Sequence, residues 1–367
     1  MPLKIPENHQ VSSSALFFIL YQIQVGIGIL AYQRTVGLHA EADGWISILF
    51  CGLAVQIVLW MMLQLLDHFQ GDLITIHTSL FGKWLGTGLT IMYIFYYLGM
   101  ALTVLNSYVS IVQVWMFPQM SYWEIAVLLL IVGYSFISGG LRSISGICLL
   151  STIYSSPLFI TLIFPVETSG DFDNMLPLFS HTPEDMFFSL KEMALNFEGI
   201  SIIFMVYPFI KKSKKVASWA QYSVFLSTFL YTVLYIISVC YFNTDELDHI
   251  LWPTMSLWKI VNLPFMERFE YIGITIWLFV ILPNLCLTIW GGSRAIKRMF
   301  SINQRKLVLV ILALLLICGS FFNNQLLLEK WNELQSLFGL GVLFGYIPFL
   351  YFYHLIVKKV RKHHAKA

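Results

Sequence analysis

Glu198 is the residue whose position most demands a chemical explanation. It sits near the middle of a long apolar run, within the tetrad Asn196-Phe197-Glu198-Gly199. An acid at the centre of a membrane-crossing helix costs about 2.5–3.5 kcal/mol on insertion scales, so its presence is a functional hypothesis by default. Beside a glycine it can bind a ligand ammonium, take up a proton or hold a cation. The structural alternative is a protonated acid donating to a neighbouring carbonyl. A second glycine-marked interruption, Gln24-Val25-Gly26-Ile27-Gly28, lies at a matching place in the first half of the chain. A membrane helix broken in its middle must have its freed backbone groups buried in protein or facing a water-filled cavity. Two such helices in corresponding positions point to a transporter-type binding site near the bilayer midplane. At such a site a half-helix N-terminus offers partial positive charge to an anionic group such as an amino-acid carboxylate, and freed carbonyls can hold an ammonium or a cation. Gly26-x-Gly28 taken alone reads as helix packing; its pairing with the second break favours binding. Tyr93, Tyr96 and Tyr97 in the third run and Trp277 in the eighth can wall the pocket, or serve only as packing. Lys191, two helical turns before Glu198 and about 10 Å away along the axis, is too far to pair with it and reads as snorkelling to the interface.

The elements that position these residues follow from composition. The chain has 367 residues, 58% of them hydrophobic and 11% charged, with a mean hydropathy of +0.74. Soluble domains carry about 25% charged residues, so this is an all-α polytopic membrane protein, with one membrane domain filling residues 1–367. Runs long enough to cross a bilayer fall at 11–36, 44–66, 88–117, 122–139, 144–165, 185–210, 216–242, 266–293, 305–322 and 333–357. They predict ten transmembrane helices arranged as a 5+5 inverted repeat, with repeat A at about 11–165 and repeat B at about 185–357. The first and sixth helices are the broken ones. Pro157, Pro208, Pro283 and Pro348 are expected to kink helices, and Gly82-x-x-x-Gly86 and Gly341-x-x-x-Gly345 read as packing seams. The N-terminal run is too long for a secretory signal and lacks a small-x-small cleavage site.

Charge sets the expected orientation. With both termini cytoplasmic, the inner segments gather Lys4, Lys83, Arg142, Lys211, Lys212, Lys214, Lys215, Arg294, Lys297, Arg298, Arg305, Lys306 and the basic tail from Lys358 to Lys366. The outer segments hold only Arg34, Lys259, Arg268 and Lys330, among acids such as Glu167, Asp171, Asp173, Asp245 and Asp248. The inner clusters also suit attraction to anionic membrane lipids or a cytoplasmic partner. Nucleic acid is not an expected partner, because the basic runs are short and lack interleaved aromatics. No nucleotide-binding, zinc-protease or serine-hydrolase motif occurs, so no catalytic residues and no cofactor are expected. The five cysteines lie in apolar runs without a CxxC pair and read as buried packing, and His363-His364 is too short for a metal tract.

Several peptides carry a resemblance: Gly26-x-Gly28-x-Leu30, Asp43-Gly44-Trp45, Phe81-Gly82-Lys83-Trp84-Leu85-Gly86, Leu251-Trp252-Pro253-Thr254-x-Ser256-Leu257 and Glu267-Arg268-Phe269-Glu270. In this order and spacing the chain resembles the spore germination permease family, the B subunits of nutrient germinant receptors in endospore-forming bacteria, within the amino acid–polyamine–organocation transporter superfamily. Relatives often carry Pro-Arg after the first break, where this chain has Gln33-Arg34. They often carry an acid two residues after the sixth-helix glycine, where this chain has Ser201. The candidate ligand-binding set is therefore Gln24, Val25, Gly26, Gly28, Tyr97, Asn196, Phe197, Glu198, Gly199, Ser201 and Trp277. The resemblance implies a nutrient-sensing subunit with an amino acid or similar small nutrient as ligand. It also implies a germinant receptor A subunit and a lipoprotein C subunit as partners, and the spore inner membrane as location. A proton- or sodium-coupled amino-acid permease is the alternative, and a ligand-opened water or ion conduit is a third.

Overall fold

The structure is a computed structural model that describes residues 5–261, 268–322 and 325–364. Lys4, Glu267, Lys366 and the first residues of the run at 266–293 lie outside the described residues. Among the described residues every regular element is helical, apart from one isolated bridge between Val11 and Ile210. The first run forms α1 (Ala15–Gln24) and α2 (Tyr32–Ala40), joined through a 3-10 turn at Gly28–Leu30. Then come α3 (Gly44–Phe69), α4 (Leu73–Trp115), α5 (Tyr122–Ser138), α6 (Gly140–Thr161) and α7 (Ile163–Ser169). The second half holds α8 (Pro183–Ala194), a 3-10 segment at Leu195–Ile202, α9 (Ile203–Val206), α10 (Val216–Leu247) and α11 (Pro253–Ile260). It ends with α12 (Phe269–Phe300), α13 (Gln304–Ser320), α14 (Gln325–Leu340), a π-helical segment at Gly341–Tyr346 and α15 (Ile347–His364).

Six continuous helical stretches are long and apolar enough to cross a membrane: Tyr32–Phe69, Leu73–Trp115, Gly140–Ser169, Val216–Leu247, Phe269–Phe300 and Leu326–Val360. The remaining expected runs are present as shorter helices, either because they are broken (α1–α2 and α8–α9) or because they are short outright (α5 and α13). The outer surface is a belt of exposed apolar side chains, including Phe50, Leu53, Ile57 and Trp60 on α3, Leu128 and Ile131 on α5, and Phe225 and Phe229 on α10. Water would oppose that belt, whereas lipid accepts it. Helix α12 is the hub: Val280 to Ser293 are buried without interruption, the pattern of a helix enclosed on every side. It packs on α4, α6 and α1.

Three glycine expectations change. Gly82 is not a packing residue: its φ is +76° and nothing lies where a Cβ would stand. It breaks α4 into a short leading segment and a long crossing helix. The sequence pattern missed the leading segment, because its Asp72 cap and polar threonines dilute the apolar signal. Only Gly86 serves close approach, with a Cβ position 2.8 Å from the His77 carbonyl carbon. Gly341 and Gly345 have open space around them and lie in the π-helical segment, so they form no seam. Cys318, expected to be buried, is exposed on the apolar surface, whereas the other four cysteines are buried.

The chain ends share one face. Val11 pairs with Ile210 in the isolated bridge, with the Val11 N–H donating to Phe209 O and the Lys211 N–H to Val11 O, each at 2.9 Å. Lys212 Nζ donates to Gln70 Oε1, and the His354 ring of α15 lies tilted against that of His68, with centroids 4.3 Å apart.

Candidate functional site

Helix α1 stops at Gln24 because Gly26 and Gly28 supply no side chain to pack in a helical turn, and the chain restarts through the 3-10 turn into α2. Opposite it, the expected unwound tetrad is an eight-residue 3-10 segment, Leu195–Ile202. It is overwound rather than open, and the change from α to 3-10 frees backbone groups in the same way. The two segments touch. A Cβ on Gly28 would collide with Asn196 Oδ1, and one on Gly199 would stand 2.8 Å from the Ile23 carbonyl oxygen.

Tyrosines and amides hold the freed carbonyls. Tyr231 donates to Gln24 O at 2.8 Å, Tyr96 to Glu198 O at 2.8 Å and Tyr97 to Ser201 O at 3.0 Å. Asn284 Nδ2 donates to Gln22 O at 2.8 Å and Thr254 Oγ1 to Ile29 O at 2.8 Å. A buried carbonyl without such a donor costs about 1–3 kcal/mol, so these side chains are what make two broken helices tolerable in the core.

Between the breaks lies a cavity of about 290 Å³, open toward the face away from the chain ends. Gln24, Gly26, Gly28, Asn196, Glu198 and Gly199 line it. The other sequence candidates do not reach it. Val25 is fully buried beneath the break, Phe197 packs on Tyr231 with ring centroids 5.8 Å apart, and Tyr97 and Ser201 are tied to each other below the floor. Trp277 is sandwiched between Trp258 and Phe159, at 5.5 and 5.9 Å, away from the cavity. Of the other aromatics considered, Tyr96 braces the second break from behind and Tyr93 packs on His77 and Tyr346.

Sequence reading passed over the far wall. Asn332, Gln335 and Ser336 of α14 line the cavity with Leu328, and their spacing of three and four residues on one helix face is the signal that marks them. Ser107 and Glu192 line it toward the open end, and Asn284 lines its base. Gly339 of α14 lies against the Glu198 side chain, where a Cβ would meet Oε2.

The side-chain atoms of the lining residues that are buried without a partner among the described residues are Gln24 Oε1, Glu198 Oε2 and Asn332 Oδ1. All are acceptors. Gln24 Nε2 donates to Leu20 O at 2.5 Å, which fixes its Oε1 as the free end. Three acceptors on residues lining one cavity, one of them a carboxyl oxygen, suit a ligand that brings N–H donors and positive charge. No group of three or more His, Cys, Asp or Glu side chains that could hold a metal occurs among the described residues.

The chain is 33% identical over 359 residues to the spore germination protein GerQB of Bacillus cereus, covering 98% of this chain and 99% of that one. It is 22% identical to the spore germination proteins YndE and B2 of Bacillus subtilis strain 168, each alignment covering 96% of this chain and 97% of the relative. Among solved structures it shares the fold of MhsT, crystallised in complex with L-phenylalanine, with a TM-score of 0.62 at 14% identity over 89% of this chain and 86% of that one. These relatives are spore germination proteins, and with its long apolar helices the chain is a multi-pass membrane protein and not an enzyme. Residues 10–326 match the spore germination protein family over most of the length, and the chain belongs to that family.

Proposed function

We propose that this chain is the B-type, nutrient-sensing subunit of a spore germinant receptor, and that it binds an amine-bearing nutrient, an amino acid first of all, between its two helix breaks. The reading rests on one observation above others: three residues lining one cavity carry orphaned acceptors, Gln24 Oε1, Glu198 Oε2 and Asn332 Oδ1, for which a ligand ammonium would supply donors. The cavity volume sits close to the lower bound of about 300 Å³ for ligand pockets, which suits a ligand of amino-acid size. The structural neighbour solved with L-phenylalanine supports the same class. The ligand acts by binding one conformation of the bundle more tightly than the other and so shifting the population. In this reading ten helices cross the spore inner membrane as two inverted sets of five, both termini are cytoplasmic, and the signal passes to an A subunit and a lipoprotein C subunit.

The test is germination of spores whose other receptors are deleted, with and without this chain, across a nutrient panel. Loss of response to particular amine-bearing nutrients, with no response to their deaminated analogues, is the expected result. A response that is equal with the amine removed overturns the assignment of ligand class. Coupled import by the chain alone is the competing reading, and labelled amino-acid counterflow in proteoliposomes separates the two.

A further inference from the structure

The crossing of α1, α6 and α12 sits beside the cavity and collects carbonyls that have lost their helical donors. Helix α1 ends at Gln24, so Gln22 O belongs to the last turn and has no N–H from a following turn. In α12, Pro283 has no N–H to give to the carbonyl of Phe279 one turn back. In broken-helix transporters, unwound carbonyls of this kind coordinate the coupling cation. Here each already has a donor from the protein. Asn284 Nδ2 reaches Gln22 O at 2.8 Å and Val280 O at 2.9 Å, bridging α1 and α12. Ser151 Oγ on α6 donates to Phe279 O at 2.6 Å and accepts from Gln22 Nε2. Gln22, Ser151 and Asn284 are all buried. Every donor in the set is a neutral amide or hydroxyl.

We infer that the Asn284 amide, supported by Ser151, does at this crossing what a coupling cation does at the unwound carbonyls of broken-helix transporters, so that this chain holds its binding site together without sodium. An amide nitrogen bridging two carbonyls supplies the attraction that an ion would, and it cannot leave when the bundle changes conformation. A subunit that senses rather than pumps has no use for a departing ion. The inference concerns the scaffold of the site and does not depend on which nutrient binds.

The experiment is thermal unfolding of the full chain in lipid nanodiscs, in sodium chloride against choline chloride at equal ionic strength, with no nutrient present. The wild type is expected to show the same Tm in both salts. Asn284→Asp exchanges the bridging donor for an oxygen, leaving Gln22 O, Val280 O and a carboxylate as an oxygen set that suits a hard cation. Its Tm should fall in choline and rise saturably with sodium, as stabilisation by a bound ligand requires. Asn284→Ser, which also removes the amide donor but adds no charge, should show the same dependence more weakly. A wild type stabilised saturably by sodium over choline overturns the inference. So does a folded Asn284→Asp whose Tm is the same in both salts, since the crossing would then be no cation seat. If both variants fail to fold, the wild-type comparison decides alone.

Discussion

At the scale of single residues, the site turns on how Glu198 is housed. Its backbone carbonyl is held by Tyr96, while its carboxyl oxygen Oε2 is buried without a partner among the described residues. Replacing it with glutamine keeps the shape, removes the ionisable carboxyl and puts an amide donor in place of one of its oxygens. Glu198→Gln is therefore expected to accumulate as folded protein and to need at least roughly tenfold more nutrient for germination, the loss of about 1.4 kcal/mol of binding. An unchanged dose–response curve would remove Glu198 from the site. Gly339 gives an independent handle, because it makes room for that carboxyl from the opposite helix. Overpacking of this kind costs about 1–3 kcal/mol. Gly339→Ala should right-shift the dose–response curve, and adding Glu198→Asp, which shortens the acid by a methylene, should restore part of the loss. If the double variant is merely the sum of the two single effects, the two positions do not meet as the structure has them.

At the scale of elements, the tyrosines that close the freed carbonyls should behave as structural braces rather than ligand contacts. Tyr231→Phe uncovers Gln24 O and Tyr97→Phe uncovers Ser201 O, with the ring packing kept. Each should destabilise the chain by about 1–3 kcal/mol, read as a lowered Tm. Tyr97→Phe should leave nutrient selectivity unchanged, since its hydroxyl points away from the cavity; an altered rank order of nutrients would contradict that placement. This division of roles explains what the sequence made legible. The breaks could be read because glycines, amides and an acid interrupt otherwise continuous apolar runs, and membrane physics leaves few uses for such an interruption. The roles of Tyr97, Phe197, Ser201 and Trp277 could not be read, because an aromatic or a serine on a core helix has the same signature whether it faces a ligand or a neighbouring helix. The α14 wall was missed for a related reason: Asn332, Gln335 and Ser336 stand near the start of a run, where polar residues ordinarily mark the water interface. The leading turn of α4 was lost because Gly82 resembles a packing glycine until its positive φ is known.

At the scale of the molecule, the cavity is open on one side and sealed on the other. From the breaks it reaches Thr35, Ser110, Glu192 and Trp252, all toward the face opposite the chain ends. On the face carrying the chain ends, three layers close it. Tyr97 is tied to Ser201, the Val11 and Ile210 backbones pair, and Arg298 Nε meets Asp72 Oδ2 at 2.7 Å. Asp72 has a double duty, since the same side chain caps α4 by accepting from the Thr75 N–H at 3.0 Å. The pair thus pins the start of α4 to the end of α12, and breaking it should let the two separate and admit reagent from that face. Accessibility of introduced cysteines checks this, with the exposed Cys318 first replaced by serine and the four buried native cysteines kept. In an otherwise native chain, Ser107→Cys should react with a membrane-impermeant thiol reagent applied to the face opposite the chain ends, and Ser201→Cys, which is fully buried, should react from neither. Adding Asp72→Ala should make Ser201→Cys reactive from the face of the chain ends and slow the reaction of Ser107→Cys, because one population grows at the expense of the other. A nutrient bound in the cavity should reverse both changes if it prefers the conformation described here. If Asp72→Ala exposes Ser201→Cys without protecting Ser107→Cys, the two faces are not coupled, and a sensor working by rocking of the whole bundle would have to give way to one that signals by local closure over the site.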